Sequence, residues 1–334
     1  MRRQAPAHGE RVETRRVCVT IGCSRARPLG LHERAPMKIA VLAHSKKTVG
    51  GGLPELRAEL KRRGQLDVSW YEVAKSRKVP KAARAALADG PDLLLVWGGD
   101  GTVQRAVDVL ARTRESQAPV AVIPAGTSNL FGGNLGIPHD LAAALDVALG
   151  DERKVIDVGS FNGERFGVMA GVGLDALMIG DASRSLKDRL GRVAYVYTGV
   201  KNLHRASVQA QIDIDGEPWF RGRASCVLVG NMGELFGGIT LFPDADPADG
   251  HLDVGVLQAE KLTDWTRLAG RALTGNVDRS PFLTTTSARR VDVRLKPSMP
   301  YELDGGARSR TKRMKVSIQP QAITVCVPEP AAAK

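Results

Sequence analysis

Leu93-Leu94-Leu95-Val96-Trp97-Gly98-Gly99-Asp100-Gly101-Thr102 is the stretch on which the reading of this chain turns. Its first four residues are apolar without alternation, which suits a strand covered on both faces in a parallel sheet. The strand stops at two glycines, an aspartate, a third glycine and a threonine. Apolar residues then resume at helical spacing, with Val103, Ala106, Val107 and Leu110 on one stripe. Gly98 to Thr102 is therefore a strand-to-helix turn at the carboxyl end of a parallel strand, where open α/β sheets bind ligands. Glycines there let backbone N–H groups approach a phosphate, and the helix N-terminus favours an anion. Asp100 is the odd member, because a carboxylate repels a phosphate unless a cation or a proton transfer involves it. As a plain tight turn, the same residues would have Asp100 capping the helix.

Working outward, Pro119 to Ile123 is a second short apolar strand. It ends in Pro124-Ala125-Gly126-Thr127-Ser128-Asn129, so two strand ends with Gly-Thr chemistry can face one ligand. Upstream, Lys38 to Ala43 reads as the first strand, a helix carries Leu53, Leu56 and Leu60, and Asp67 to Val73 and Val79 to Leu87 follow as strand and helix. This alternation predicts a doubly wound α/β domain over 37–150. From Lys154 the pattern changes to short strands separated by turn signals such as Asn162-Gly163 and Asp215-Gly216. A mainly antiparallel β domain is expected over 151–330, with strands including 165–170, 314–318 and 322–327. One long helix, Ser185 to His204, interrupts it with an apolar stripe and the cations Lys187, Arg189, Arg192 and Lys201. Such a helix packs on its own domain or lies on anionic lipid.

Four ordered motifs carry a resemblance: Gly98-Gly99-Asp100-Gly101-Thr102, Pro124 to Asn129, Gly171-Val172-Gly173-Leu174-Asp175-Ala176, and Asp249-Gly250-His251-Leu252-Asp253-Val254. Together they resemble the diacylglycerol kinase catalytic-domain family of lipid kinases, over roughly residues 37 to 328. The resemblance implies an ATP-binding α/β domain, a β-sandwich domain as in NAD kinases, and phosphoryl transfer to a lipid hydroxyl. Phosphoryl transfer needs bound phosphates, Mg²⁺ and a group that deprotonates or orients the acceptor. Ser45, Gly98, Gly99, Gly101, Thr102, Gly126, Thr127 and Asn129 are the expected ATP contacts. Asp100 is the candidate general base or holds Mg²⁺ through water. Asp175 is expected to face the lipid hydroxyl. The resemblance implies a Mg²⁺ site in the loop with four aspartates between residues 244 and 253, through the Asp249 side chain and backbone carbonyls at Asp246 and His251.

Two positions depart from the family pattern. The Asn-Pro-x-Ser-Gly turn after the first strand is replaced by Ala43-His44-Ser45-Lys46-Lys47, where a lysine can serve the phosphates. The family's Asp-Gly-Glu reads Asp304-Gly305-Gly306 here, so its proposed proton acceptor is missing. Glu302 and Asp304, two apart on one strand face, are the candidates to replace it. NAD kinase activity and a non-catalytic binder stand as alternatives.

Composition narrows the partners. The chain has 334 residues, a net charge of +12 and only 4% aromatic residues, too few for the stacking platforms of nucleic-acid binders. ATP and anionic lipid headgroups account for the charge, and nucleic acid is not an expected partner. No apolar run reaches the length of a membrane span, so contact with a membrane lipid substrate is expected at the bilayer surface. Four scattered cysteines read as incidental thiols and suit a cytoplasmic, peripherally membrane-associated protein. A homodimer is left open. Residues 1–36, rich in Arg and Pro, are expected to be a disordered extension or to precede a natural start at Met37.

Overall fold

The computed structural model describes residues 36–334 apart from 65, 114–117, 174–206, 236–238, 274–276, 278 and 331–334. The helix expected over 185–204, and Asp175, lie outside the described residues. The apolar runs of the first half form β1 (Met37–His44), α1 (Leu53–Arg62), β2 (Leu66–Val73), α2 (Val79–Ala88), β3 (Leu93–Gly98), α3 (Asp100–Arg112) and β4 (Val120–Pro124). Short α4 (Leu130–Asn134) and α5 (Leu141–Leu149) follow. The four strands are parallel in the order β2-β1-β3-β4. β3 and β4 are buried at every residue, which is why neither alternates. The chain reverses its direction of travel across the sheet between β1 and β3, the kind of switch point that opens a crevice for ligands. Register sets Ala43 beside Trp97 there. The wholly buried Trp97 indole donates from Nε1 to the Lys47 carbonyl at 2.9 Å, fixing the loop after β1 beside the glycine turn.

The second half begins with β5 (Arg153–Phe161), β6 (Glu164–Phe166), β7 (Met169–Val172), β8 (Val208–Ile214), β9 (Glu217–Ala224) and β10 (Cys226–Gly230). The ribbon β11 (Glu234–Leu235) and β12 (Ile239–Thr240), then β13 (Leu252–Leu257), α6 (Leu262–Leu273), β14 (Leu283–Ala288), β15 (Arg290–Leu303) and β16 (Gly306–Cys326) complete it. Asn162 and Asp215 take left-handed φ of 47° and 51° and close the β5–β6 and β8–β9 hairpins, as their Asn-Gly and Asp-Gly pairs predict. β15 pairs with β8 over 291–296 and with β7 over 301–303, so it passes between two layers. Val291 and Val293 thus share one apolar core with Val172, Val227 and Val254, which makes the β-sandwich.

Three expected strands are corrected. The 165–170 strand is two, because the N–H groups of Gly167 and Val168 turn to the Asp304 carboxylate instead of a neighbouring strand. The 314–318 and 322–327 strands are one, β16, bent at Gln321 (φ 49°) where its register against β5 shifts. β16 then pairs in parallel with β4, Val325 beside Val120, so both halves share one sheet.

Asp157 in β5 is 1% exposed. Its carboxylate accepts the N–H of Gly250 and of Gln321, each at 2.7 Å. Its own N–H donates to the Pro247 carbonyl at 2.6 Å. The acidic 244–253 loop therefore hangs on Asp157. Asp157→Ala leaves two part-buried bonds unmade and should lower stability in urea unfolding by about 2–4 kcal/mol. A loss below about 1 kcal/mol would mean that the loop is not held there.

Candidate active site

The glycine turn after β3 and the loop after β4 meet backbone to backbone. A Cβ on Gly126 would lie 2.5 Å from the Gly99 Cα, and one on Gly99 would lie 2.8 Å from the Gly126 Cα. Only glycine permits that approach. Gly98 serves a different need, since its Cβ would stand 2.6 Å from the Cβ of Thr102. Thr102 is 2% exposed and fills the space under the turn, so this expected phosphate contact is a packing residue. Asn129 is likewise turned inward. Its backbone is left-handed (φ 50°), its Oδ1 accepts the Gly126 N–H at 2.7 Å and its Nδ2 donates to the Gly126 carbonyl at 3.1 Å. Gly101, Gly126 and the exposed Thr127 are the expected contacts of these two loops that remain accessible. Exposed Ser45 sits at the end of β1, its N–H on the Val73 carbonyl at 2.9 Å.

Asp100 opens α3 and reaches across to the start of α4. Its carboxylate accepts the N–H of Asn129 at 3.0 Å and of Leu130 at 2.5 Å. Burial pushes its carboxyl above the ordinary range, against those donors and the nearby Lys47 charge. A carboxylate so held is rigid and readily protonated, both of which suit a general base.

The tip of the β15–β16 hairpin approaches α4 from the other half. Asp304 (φ 45°) and Gly305 (φ 73°) form its two-residue turn, with Leu303 paired to Gly306. Asp304 is thus a turn residue and does not share a strand face with Glu302, as its spacing had suggested. Its buried carboxylate accepts three N–H groups, from Gly167 at 2.8 Å and from Val168 and Met169 at 2.9 Å. Burial outweighs these donors and pushes its carboxyl up to about 6, with a contribution from the Asp100 charge. Glu302, 5% exposed, pairs through its backbone with Gly171 and Ala307.

A group that sequence reading missed locks the hairpin to α3. Arg308 donates from Nε to both Glu164 oxygens, at 3.2 and 3.1 Å, and from Nη2 to Gln104 Oε1 at 3.1 Å. Gln104 is 1% exposed and also donates to the Arg165 carbonyl at 2.6 Å. The one signal was a glutamine between Val103 and Ala106 on a buried face; Glu164 and Arg308 are too far apart in sequence to be paired by eye.

The side chains of the acidic loop bond within and beside it. Asp246 accepts from Lys154 Nζ at 3.0 Å and from the Ala248 N–H, while Asp249 accepts the His251 N–H at 2.8 Å. Among the described residues, no three acidic, His or Cys side chains gather to hold a metal ion. The loop's order comes from Asp157.

Residues 39–161 match the diacylglycerol kinase catalytic domain family, and residues 168–327 match the YegS C-terminal NAD kinase beta sandwich-like domain. A diacylglycerol kinase of Bacillus subtilis (strain 168) is 33% identical over 226 residues, 67% of this chain and 74% of that protein. The chain belongs to the diacylglycerol kinase family. A Pseudomonas aeruginosa protein named "Probable lipid kinase YegS-like" is 30% identical over 306 residues, 87% of this chain and 94% of its own. The crystal structure of a diacylglycerol kinase from Bacillus anthracis str. Sterne shares the fold, with a TM-score of 0.71 at 23% identity, covering 88% of this chain and 97% of the other. Membership of a kinase family implies use of ATP. Among the described residues, no helix is long and apolar enough to cross a membrane.

Two measurements check this geometry. Gly126→Ala should destabilise the fold by about 1–3 kcal/mol, read from its denaturant midpoint, because the Gly99 backbone cannot move aside cheaply. The second concerns pH. Asp304 keeps its proton between about pH 4 and 6 in the folded chain, where an ordinary carboxyl has released it. Its contribution is therefore complete below the ordinary value and is lost as pH rises to about 6. Relative to Asp304→Asn, the parent should lose roughly 1–3 kcal/mol of stability over that window. Asp253, also pushed up to about 6 by burial and by Asp249 and Asp244, adds a similar slope that the variant retains. Parallel parent and variant curves would rule out the shift at Asp304.

Proposed function

We propose that this chain is an ATP- and Mg²⁺-dependent lipid kinase that phosphorylates the hydroxyl of diacylglycerol or a related lipid at a bilayer surface. The observation that carries the reading is the Asp100 carboxylate, held by two backbone N–H groups where two glycine loops meet and raised in basicity by burial. The accessible backbone around Gly101 and Thr127, with the Thr127 hydroxyl, suits the nucleotide phosphates. Lys47, pinned by Trp97, lends positive charge beside them. Asp100 would take the proton from the acceptor hydroxyl as the phosphoryl group arrives. Mg²⁺ would accompany the nucleotide as the counter-ion of its phosphates.

Asp100→Asn should lower phosphoryl transfer by about 10²-fold or more in protein that still folds. Its amide can accept only one of the Asn129 and Leu130 N–H groups, so stability should also fall by about 1–3 kcal/mol. The assay uses ATP against diacylglycerol and other lipid alcohols in micelles, with NAD as a parallel acceptor. Near-native turnover in the variant would overturn the role of Asp100, and transfer to NAD alone would overturn the lipid assignment.

Gly306 bears on the missing glutamate. A Cβ there would lie 2.9 Å from Arg308 Nη1, so that guanidinium fills the space in front of the glycine. With the Asp304 oxygens committed to backbone N–H groups, Glu302 is the better candidate for the second acid–base group. Glu302→Gln should then lower turnover by about 10²-fold, while Gly306→Glu should add little. A Gly306→Glu gain in turnover with no effect of Glu302→Gln would reverse this assignment.

A further inference from the structure

We propose that the outward face of β8, β9, β15 and β16 is a docking surface for an anionic lipid bilayer. The register of these strands builds the face. Val293 and Met314 point into the sandwich core, so their neighbours Arg294 and Arg313, paired directly across β15 and β16, point out together. Gln211 of β8 is paired with both Arg294 and Arg221. One row thus runs Arg221, Gln211, Arg294, Arg313 across four strands, roughly 14 Å wide. The next row carries Arg223, Gln209 and Lys296. All five cations are exposed.

Carboxylates offset only part of this charge. Arg294 meets Asp213 at 3.1 Å and Arg223 meets Glu260 at 2.9 Å. Among the described residues, Arg221, Lys296 and Arg313 have no carboxylate within ion-pair distance. Like charges directly opposite on neighbouring strands are destabilising, so the Arg294–Arg313 pair favours an anionic partner. These two rows hold only Arg, Lys and Gln, and Trp219 at the neighbouring β8–β9 bulge packs against the sandwich core, so the rows offer a nucleic-acid base no aromatic to stack on. A broad, flat, polar array matches a charged headgroup layer, with attraction at the surface and no insertion into the acyl region. The same β15–β16 hairpin carries Glu302 and Asp304 at its tip, so docking would fix the cleft relative to the bilayer. That last link rests on the lipid-kinase reading; the binding itself does not.

The test is flotation of the full chain with vesicles of phosphatidylcholine containing about 30% phosphatidylserine, without acceptor lipid or ATP. Binding is expected at about 0.1 M salt, should fall away by about 0.5 M, and should be absent with phosphatidylcholine alone. Arg221→Gln/Lys296→Gln/Arg313→Gln should bind on the order of 100-fold more weakly, at roughly five-fold per cation. Lys61→Gln/Lys81→Gln/Arg84→Gln removes the same charge from α1 and α2 and should bind like the parent. Equal losses in both variants would show a response to net charge and overturn the assignment, as would undiminished binding in the first. Tighter binding of duplex DNA than of vesicles at equal salt, lost in the first variant alone, would make the face a nucleic-acid surface and overturn it too. Because the vesicles hold no acceptor, failure here leaves the kinase assay untouched, and an inactive kinase leaves docking to be judged on its own.

Discussion

The contact of Gly99 with Gly126 is the constraint from which the site follows. Two strand-end loops can touch backbone to backbone only where neither residue has a side chain, and that closeness brings Asp100 within reach of the first N–H groups of α4. Once Asp100 holds α4, the helix becomes a platform for the other half of the chain. Phe131 packs against Gly167, whose Cβ would lie 2.7 Å from its ring, and Leu130 lies beside Gly305 at the hairpin tip. The cleft is therefore assembled from backbone contacts, with side chains added where the backbone has left space.

Two carboxylates flank this platform and feel one another. Asp100 and Asp304 are each raised by burial, each is held by backbone N–H groups, and their charges oppose. Their surroundings separate their roles. Asp304 is enclosed, with both oxygens bonded to backbone, and it orders the segment from Gly167 to Met169. Asp100 is only half-buried and stands next to Lys47, so it is the more accessible of the two.

The sequence made the architecture legible because each half obeys one local rule. Unbroken apolar runs mark β3 and β4 as covered on both faces, and Asn-Gly and Asp-Gly pairs mark the hairpins. The site was legible as a set of loops but less so as a set of roles. Thr102 and Asn129 looked like ligand contacts by residue type, yet one fills the space above a glycine and the other staples its own loop. Asp304 and Glu302 looked equivalent by their spacing, and a left-handed turn separates them. The Gln104–Glu164–Arg308 clasp and the Asp157 anchor were not legible at all, because each joins segments on different elements whose meeting depends on the whole sheet.

The parallel pairing of β16 with β4 also sets a schedule for synthesis on the ribosome. Ile323, Val325 and Cys326 belong to the same apolar core as the first four strands. The nascent chain completes β4 at Pro124 and must make roughly two hundred more residues before β16 can cover that edge. At typical elongation rates this interval is about 10–40 s. For that time a buried-type strand, apolar on both faces, is an open edge and a template for mispairing. The N-terminal layer can form early but cannot close early, and its exposure to chaperones is written into the order of its strands.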